Sequence, residues 1–362
     1  MAEAGSNGRG TENDAARLML AAARERFAVA ATELLLPDAA RLTEWQRLTA
    51  NQLLSRLLSG IEEDMRLRLL RHFPPEGALH AALSSAHVAI AVPILERAGA
   101  VSQTDLMMFL VRRVEEHRFW RRHEIGREEY LHELLTDADE EIAAETMSYV
   151  IARGRRFDRF QEPTLVDVEL PAELQHRLIW MTAAALRHYM VEHHGAASVD
   201  AAIEAAAGEM IAGYDESERI EARAEALVRR LHRKGRIDGH ALECFVGGGL
   251  PTLFIAALGL LCGLTQDAVW ELVADPRRRG LVTMLRAADI ARSCAAAIIH
   301  DIASASTRFS PTEGDDAAEQ LEFYDTLDVD SARDVLRLWR ADPAYRAYVA
   351  QLSTRGRPAA SA

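Results

Sequence analysis

The most constraining feature of the sequence is an apolar stretch from Cys244 to Leu264, CFVGGGLPTLFIAALGLLCGL, which contains three consecutive glycines. Such a pattern is compatible with a membrane span, a phosphate-binding loop or a buried helix. A spanning helix needs about 20 predominantly apolar residues. The uninterrupted run begins at Leu250 and already includes Pro251 and Thr252, so it is too short for a span.

The glycines also fail the requirements of a phosphate-binding loop. That loop ends in Lys-Ser/Thr, whereas Leu250-Pro251-Thr252 follows the glycines here. Glycine favours the end of a helix, and proline suits the first turn of the next one. The stretch therefore predicts helix, loop and buried helix, with Gly259 and Gly263 allowing a close helix contact or a cap.

The composition extends this prediction to the whole chain. Of the 362 residues, 49% are hydrophobic but only 6% are aromatic, and alanine and leucine dominate. These residues favour helices, and β-branched or aromatic runs typical of strands are scarce. Segments of 10–14 residues alternate with short connections, which is the rhythm of stacked helical hairpins. We therefore predict an all-α fold of HEAT- or armadillo-like α-solenoid type with two lobes.

Breaks in the helical pattern suggest the boundaries of these parts. Pro163 and Pro171 bracket an acidic connector, and a Ser/Gly/Asp-rich acidic stretch follows the second lobe. The predicted organisation is a disordered leader (1–14), an N-terminal lobe (15–153), a connector (154–170), a second helical lobe (171–303), an acidic linker (304–324), a C-terminal helix pair (325–352) and a disordered tail (353–362).

The charge and the cysteines predict the environment and exclude some partners. The formal net charge of −13 disfavours binding to nucleic acid or anionic lipid. Lys234 is the one lysine, so almost all positive charge is arginine. Cys244, Cys262 and Cys294 are widely spaced in apolar surroundings, which predicts buried reduced thiols. We expect a cytoplasmic protein without membrane insertion.

Four segments, AVPILERAGAVSQTDLMMFL, RRFDRFQEP, LPAELQHRLIWMTAAALRHYM and LTQDAVWELVADPRRRGLVTMLRAADI, together resemble a known family. It is an uncharacterised bacterial helical family of HEAT-like character (domain of unknown function, family 2336). The likeness covers roughly residues 45–305 and is best at 83–114 and 165–290. The resemblance implies a helical-repeat fold in a bacterial cytoplasmic protein. It implies no activity, cofactor or site residue.

Catalytic and metal-binding patterns are weak. His117, His123 and His132 lie among glutamates, but spacings of six and nine do not place them on one helix face. Arg127 stands where the second histidine of the zinc-protease motif belongs. No Gly-x-Ser-x-Gly motif occurs. We therefore predict no metal, no cofactor and no catalytic residue, although catalytic groups assembled from distant helices remain an alternative.

Arginines interleaved with phenylalanines form the strongest candidate site. Guanidinium groups bind planar anions through paired hydrogen bonds and stack on aromatic rings. The candidate contact residues are Arg118, Arg121, Arg122, Arg155, Arg156, Phe157, Arg159 and Phe160. The alternative is structural: Arg156, Phe157 and Phe160 pin the connector against the lobe, while Arg159 pairs with a nearby carboxylate.

Two functional hypotheses follow. Helical stacks present extended binding surfaces, which favours a non-enzymatic scaffold or adaptor that binds a protein partner. The alternative is a regulatory sensor that binds an anionic, nucleotide-type ligand at the arginine–aromatic surface. Replacement of Arg156 and Arg159 by alanine separates the two roles of this surface, since a sensor loses binding and a structural site loses thermal stability. The sequence does not specify the oligomeric state.

Overall fold

The computed structural model describes residues 42–85, 89–122, 129–196, 198–274, 278–305, 313–342, 345–346, 348–349 and 352. Within these residues the chain forms sixteen α-helices and no strand. One isolated antiparallel bridge joins Phe157 to Pro163. The predicted all-α class is confirmed.

The helix bounds define the labels used below. In chain order, the helices are α1 (Glu44–Leu69), α2 (Ala78–Ser84), α3 (Ala91–Arg97), α4 (Thr104–Arg122), α5 (Glu129–Leu135), α6 (Glu140–Gly154), α7 (Ala172–His194), α8 (Asp200–Ala212), α9 (Ile220–Arg233), α10 (Gly239–Gly247), α11 (Pro251–Cys262), α12 (Gln266–Val273), α13 (Arg279–Ala287), α14 (Arg292–Ala305), α15 (Glu313–Thr326) and α16 (Val329–Leu336). Short 3₁₀ turns occupy Leu70–His72, Asp167–Glu169, Glu216–Glu218 and Arg337–Arg340.

The chain divides into two compact units, Met1–Arg47 and Leu48–Ala362. In the first unit only residues 42–47 are described. There Gln46 N–H donates to Thr43 Oγ1 at 3.2 Å, and Thr43 N–H donates to Gln46 Oε1 at 2.6 Å. This reciprocal pair is the capping box that the sequence pattern Thr43-x-x-Gln46 indicates. All packing described below lies in the second unit.

Buried apolar side chains of the second unit form two cores. The first core takes residues from 50–114 and 165–210, and the second core takes residues from 131–152 and 220–336. The two cores therefore alternate along the chain, and the predicted N-terminal lobe (15–153) supplies side chains to both. Helix α4 bridges them, because Leu110 and Val114 are buried in the first core while Phe119 packs against the second.

Most of the apolar stretch from Cys244 to Leu264 is buried in the second core. Helix α10 ends at the glycines, where Gly249 adopts a left-handed φ of 64°, and Pro251 is the first residue of α11. Gly263 ends α11 with the same φ. A Cβ on Gly259 would lie 2.9 Å from the Leu264 carbonyl oxygen, so Gly259 permits a close backbone approach.

In the described part of the chain, no single helix has the length and apolarity to cross a membrane. One bent pair, α11 with α12, meets the length and composition criteria across a 107° bend. The buried face of α11 accounts for that composition, because nine of its residues belong to the packed interior.

The structure differs from the prediction of an acidic linker at 304–324. Residues 313–324 lie in α15 and residues 304 and 305 end α14, while 306–312 lie outside the described residues. The helix forms because α15 has a short apolar face that packs on the second core. In the sequence, the acidic residues between these apolar positions make the segment look like a solvated linker. Tyr324 is 2% exposed and donates its hydroxyl to the Ile290 carbonyl oxygen, and Leu321 and Phe323 pack against the second core.

Candidate functional site

The connector after α6 holds Arg156 in place through a tight turn. The Thr164 N–H donates to the Arg156 carbonyl oxygen, and the Asp158 N–H donates to the Glu162 carbonyl oxygen, each at 2.9 Å. Asp158 also accepts hydrogen bonds from the Phe160 and Glu162 N–H groups at 2.8 and 3.0 Å. This closed turn leaves the Arg156 side chain directed into the protein, where it is 4% exposed.

Arg156 binds three buried carboxylates from three segments of the chain. Its Nε donates to Glu169 Oε2 at 3.0 Å, and one Nη donates to Glu221 Oε1 at 2.6 Å. The other Nη donates to Glu116 Oε2. Glu116 lies on α4, Glu169 ends a 3₁₀ turn and Glu221 lies in the first turn of α9. The guanidinium therefore links elements that are distant in sequence.

Further arginines complete this cluster. Arg113, which is buried, donates to Glu116 Oε2 at 2.9 Å and to the Thr164 carbonyl oxygen at 3.4 Å. Arg112 lies 3.2 Å from Glu116, and Arg219 lies 3.4 Å from Glu221. Four guanidinium groups thus face three buried carboxylates, and Arg112 and Arg219 also pair with Asp267 at 2.7 Å and Glu216 at 3.2 Å.

The pKa shifts follow from these contacts. Burial alone would raise the pKa of Glu221, but Arg156, Arg219 and Arg112 outweigh it and lower the pKa to about 2. The pKa of Glu116 is also lowered, because neighbouring arginines overcome its burial. Burial and the charge of Arg156 lower the pKa of Arg113 to about 10.

A cavity of about 30 Å³ adjoins the Arg156 cluster. Arg113, Arg153 and Arg156 line it from three segments of the chain. The other lining residues are Glu116, His117, Trp120, Tyr149, Phe157, Pro163, Ile220, Gly249, Pro251 and Thr252. The volume matches the space that one water molecule takes in the liquid.

His117 is the chemically unusual residue of this cavity. Its side chain is 4% exposed, and neither ring nitrogen has a hydrogen-bond partner within the described residues. Burial, together with the charges of Arg121 and Arg113, lowers its pKa to about 4. The ring lies 5.6 Å from that of Phe157, which in turn lies 4.0 Å from that of Trp120. The imidazole is therefore neutral at physiological pH.

The structure brings together only part of the predicted site. Arg156 and Phe157 line the cavity. Arg155 donates to Glu218 at 2.9 Å, and Arg159 lies 4.6 Å from the centre of the Phe160 ring. Phe160 is 68% exposed and does not pin the connector.

Two of the three predicted arginines of α4, Arg118 and Arg121, are not among the residues that line the cavity. Arg118 pairs with Glu115, and Arg121 lies 3.8 Å from Glu162. Arg122 ends α4, and its side chain lies outside the described residues.

Sequence reasoning missed most of the cavity. The sequence marks His117 only as a candidate metal ligand, and Arg113 and Arg153 are not among the predicted contact residues. Tyr149 and Thr252 carry no sequence signal, yet their hydroxyl groups lie 2.9 Å apart. Among the described residues no group of three or more His, Cys, Asp or Glu side chains is placed to hold a metal ion. His123 lies outside those residues.

The thiols differ in burial. Cys262 is buried, and burial raises its pKa to about 12, whereas Cys244 and Cys294 are half-buried. All three are free. The prediction of reduced thiols agrees with this state, but full burial holds only for Cys262.

A second concave feature, an open groove of about 850 Å³, runs along α7 and α8. Its apolar lining is Ala172, Trp180, Met181, Ala184 and Ile211, and its polar lining is Glu173, Gln175, His176, Arg177 and Tyr214. Trp180 is 38% exposed, and its indole N–H donates to His176 Nε2 at 3.2 Å. Arg177 is held by Gln103 at 2.7 Å and Asp105 at 2.5 Å. The groove is therefore an apolar floor with a fixed polar rim.

Comparison with known proteins gives a family and no activity. The model of the family described as "Uncharacterised protein conserved in bacteria (DUF2336)" matches residues 123–337. The match begins after the segment 83–114 that supported the resemblance and extends past residue 305. Neither a curated protein nor a solved structure shows significant similarity to the chain. Since the matched residues make up more than half of its length, the chain belongs to this bacterial family of uncharacterised proteins.

Proposed function

We propose that this protein is a cytoplasmic, non-enzymatic scaffold or adaptor that binds a partner protein in the groove along α7 and α8. The observation that carries the proposal is the partly exposed Trp180 on an apolar floor with Met181 and Ile211. Tryptophan is enriched among the residues that dominate binding energy at protein interfaces. Fixed neighbours such as Arg177 reduce the side-chain entropy lost on binding.

The occupant that we propose is an amphipathic helix of the partner with basic residues beside its apolar face. An apolar groove on a helical surface suits the apolar face of such a helix. Glu173 stands at the rim of the groove without an ion-pair partner among the described residues. The net charge of −13 also attracts a basic segment and speeds its association.

The HEAT-like arrangement and the two lobes belong to this proposal. The pairing of consecutive helices, α5 with α6, α7 with α8 and α10 with α11, supports stacked hairpins. The two cores support two lobes. A regular solenoid packs each repeat only on its neighbours, whereas α10 also packs on α14. We therefore propose a hairpin stack that folds back on itself in its second half.

A sensor of an anionic, nucleotide-type ligand remains the second candidate. The observation that favours it is the concentration of arginines around Phe157. Ligand pockets for such molecules measure about 300–1,000 Å³, whereas the cavity at Arg156 measures about 30 Å³. A nucleotide would therefore have to bind on the outer surface, at Arg159 and Phe160.

The test is affinity capture from the native lysate with three variants beside the wild type. Trp180→Ala alters the groove, and Phe160→Ala alters the arginine–aromatic surface. Met147→Ala is the matched control, because Met147 is a 51% exposed apolar residue that does not line the groove. We expect one stoichiometric partner that is lost with Trp180→Ala alone.

The partner is then reduced to a defined segment. Titration of its purified amphipathic helix should give binding to the wild type and at least tenfold weaker binding to Trp180→Ala. A partner that persists in Trp180→Ala contradicts the groove. Loss with Phe160→Ala, or a nucleotide-induced rise in melting temperature that Phe160→Ala abolishes, favours the second candidate.

A further inference from the structure

We infer that the groove along α7 and α8 holds, until a partner displaces it, the segment 345–352 of a second copy of this chain. This occupant rests on the proposed function, which makes the groove a site for an amphipathic helix. The contact joins two different surfaces, the groove of one copy and the segment of the other. The chain therefore regulates its own groove through self-association.

The segment 345–352 has an apolar face that its own chain leaves uncovered. The described residues of the segment are helical. Tyr345, Tyr348 and Leu352 are between 59% and 71% exposed, and their spacing of i, i+3 and i+7 places them on one side of a helix. Amphipathic helices bind apolar grooves through anchors at this spacing, and tyrosine is enriched among the residues that dominate interface energies.

Another side of the segment is held by its own chain. Arg346 donates to both carboxylate oxygens of Glu271 on α12, with a distance of 3.1 Å to Oε1. Helix α12 belongs to the second core, whereas Met181 and Ile211 of the groove pack against the first core. The segment is thus attached away from the groove of its own chain, and its exposed face is available to the groove of a second copy.

Charge also matches the segment to the groove. Residues 343–362 include three arginines and no aspartate or glutamate, in a chain whose net charge is −13. At the groove rim, Arg177 is already paired with Asp105 at 2.5 Å, whereas Glu173 has no ion-pair partner within the described residues. Opposite charges on the two surfaces speed their association and favour the correct partner. The segment therefore has the apolar and basic character expected of the occupant.

The length of the segment fits the groove. At a rise of about 1.5 Å per residue, the groove lining from Ala172 to Ala184 spans about 18 Å, and the anchors from Tyr345 to Leu352 span about 10 Å. A contact of this length belongs with small, transient interfaces rather than permanent dimers. We therefore expect a dissociation constant in the micromolar range, which lets a partner with a longer helix displace the segment.

The test measures self-association of the full chain by sedimentation velocity over a range of protein concentrations. The wild type should associate reversibly. Trp180→Ala changes the groove floor, Glu173→Arg repels the basic segment without changing that floor, and the double variant Tyr345→Ala with Tyr348→Ala changes the segment. Each of the three proteins should associate at least tenfold more weakly than the wild type.

Mixing of deficient proteins shows which surfaces meet. A groove variant, Trp180→Ala or Glu173→Arg, retains an intact segment, and the double tyrosine variant retains an intact groove. Because a contact between two different surfaces needs only one of each, the mixture should form a one-to-one dimer and nothing larger. Recovery of the dimer also shows that both variants are folded.

The matched control is Met147→Ala with Ile151→Ala, which replaces two exposed apolar residues of α6 outside the groove and should associate as the wild type does. Three results overturn the inference: a monomeric wild type, association that both groove variants leave unchanged, or mixtures that stay monomeric. If partner capture still depends on Trp180 in any of these cases, the proposed function stands without this occupant. If mixing restores the dimer but capture does not depend on Trp180, only the proposed partner is contradicted.

Discussion

Arg66 and Arg156 are both buried arginines that donate to buried glutamates, but their surroundings differ. Arg66 on α1 donates to Glu62 at 3.0 Å and to the carbonyl oxygens of Leu83 and Ala82 at 2.7 and 3.1 Å. Glu62 in turn accepts the Ile90 and Ala91 N–H groups at 2.9 and 2.8 Å. No atom of this pair is buried without a partner.

The Arg156 cluster holds more charges and leaves some of its groups unsatisfied. His117, Arg113 Nε and Glu169 Oε1 are buried without hydrogen-bond partners in the described part of the chain. Buried polar groups that are fully satisfied fix a structure, whereas unsatisfied groups in a native protein call for an explanation such as a missing water or ion. The contrast separates a structural ion pair at Arg66 from a candidate binding site at Arg156.

The largest expected effect is the loss of the Arg156 charge. Arg156→Met leaves three buried carboxylates without their shared partner, and breaking a buried ion pair in this way costs about 3–5 kcal/mol. Urea unfolding monitored by circular dichroism measures the loss. Arg229→Met removes an exposed arginine and should change the free energy of unfolding by less than about 0.5 kcal/mol. Equal losses in the two variants would remove the distinction between buried and exposed arginine.

The next effect concerns Glu62. Glu62→Gln places amide donors against the Ile90 and Ala91 N–H groups and leaves Arg66 without its counter-ion, so we expect a loss of about 3 kcal/mol. Urea unfolding monitored by circular dichroism measures this loss. A loss of less than about 0.5 kcal/mol, as expected for an exposed residue, would contradict a structural role for the Arg66 pair.

The third effect is a pH dependence due to His117. Its folded pKa of about 4 lies below the unfolded value of 6.5, so the unfolded chain binds more protons between these values. Stability is therefore lost as the pH falls from 6.5 to 4, by up to about 3 kcal/mol. His117→Gln should flatten this window in urea unfolding series at successive pH values. Parallel curves for the two proteins would rule out a buried neutral His117.

The sequence predicts structural features well when they depend on residues that are close together in the chain. Pro251 begins α11 and Gly263 caps its end, as their residue types predict, and the Thr265 hydroxyl caps α12 by accepting the Ala268 N–H at 3.3 Å. These are local effects of one or two residues. The linker prediction failed because acidic neighbours hide the buried face of α15, on which Tyr324 lies.

The candidate site, in contrast, depends on contacts between residues that are far apart in the sequence. Arg156 meets carboxylates that are 40, 13 and 65 residues away. No pattern near Glu169 or Glu221 distinguishes them from the solvated carboxylates of other helices. The sequence therefore gives Arg156 and Phe157 as candidates but assigns them to a surface, because burial is set by how α4, α9 and the connector pack together.

The smallest expected effect is the influence of a surface charge on the pKa of His117 in the cavity. Arg121 is half exposed, and after burial its charge is the largest influence that lowers the pKa of His117. Arg121→Gln should change stability by less than about 0.5 kcal/mol, since exposed ion pairs contribute little. It should nevertheless raise the pKa of His117, measured by NMR of the ring nitrogens.

The control for this last effect is Arg118→Gln on the same helix. Arg118 pairs with Glu115 and is not among the charges that act on His117, so its loss should leave that pKa unchanged. If both variants shift the pKa equally, the effect is a general change in net charge. If only Arg121→Gln does so, the charge of this one outer arginine acts on His117 across the protein interior. The Arg66 pair, with every group already satisfied, offers no comparable response.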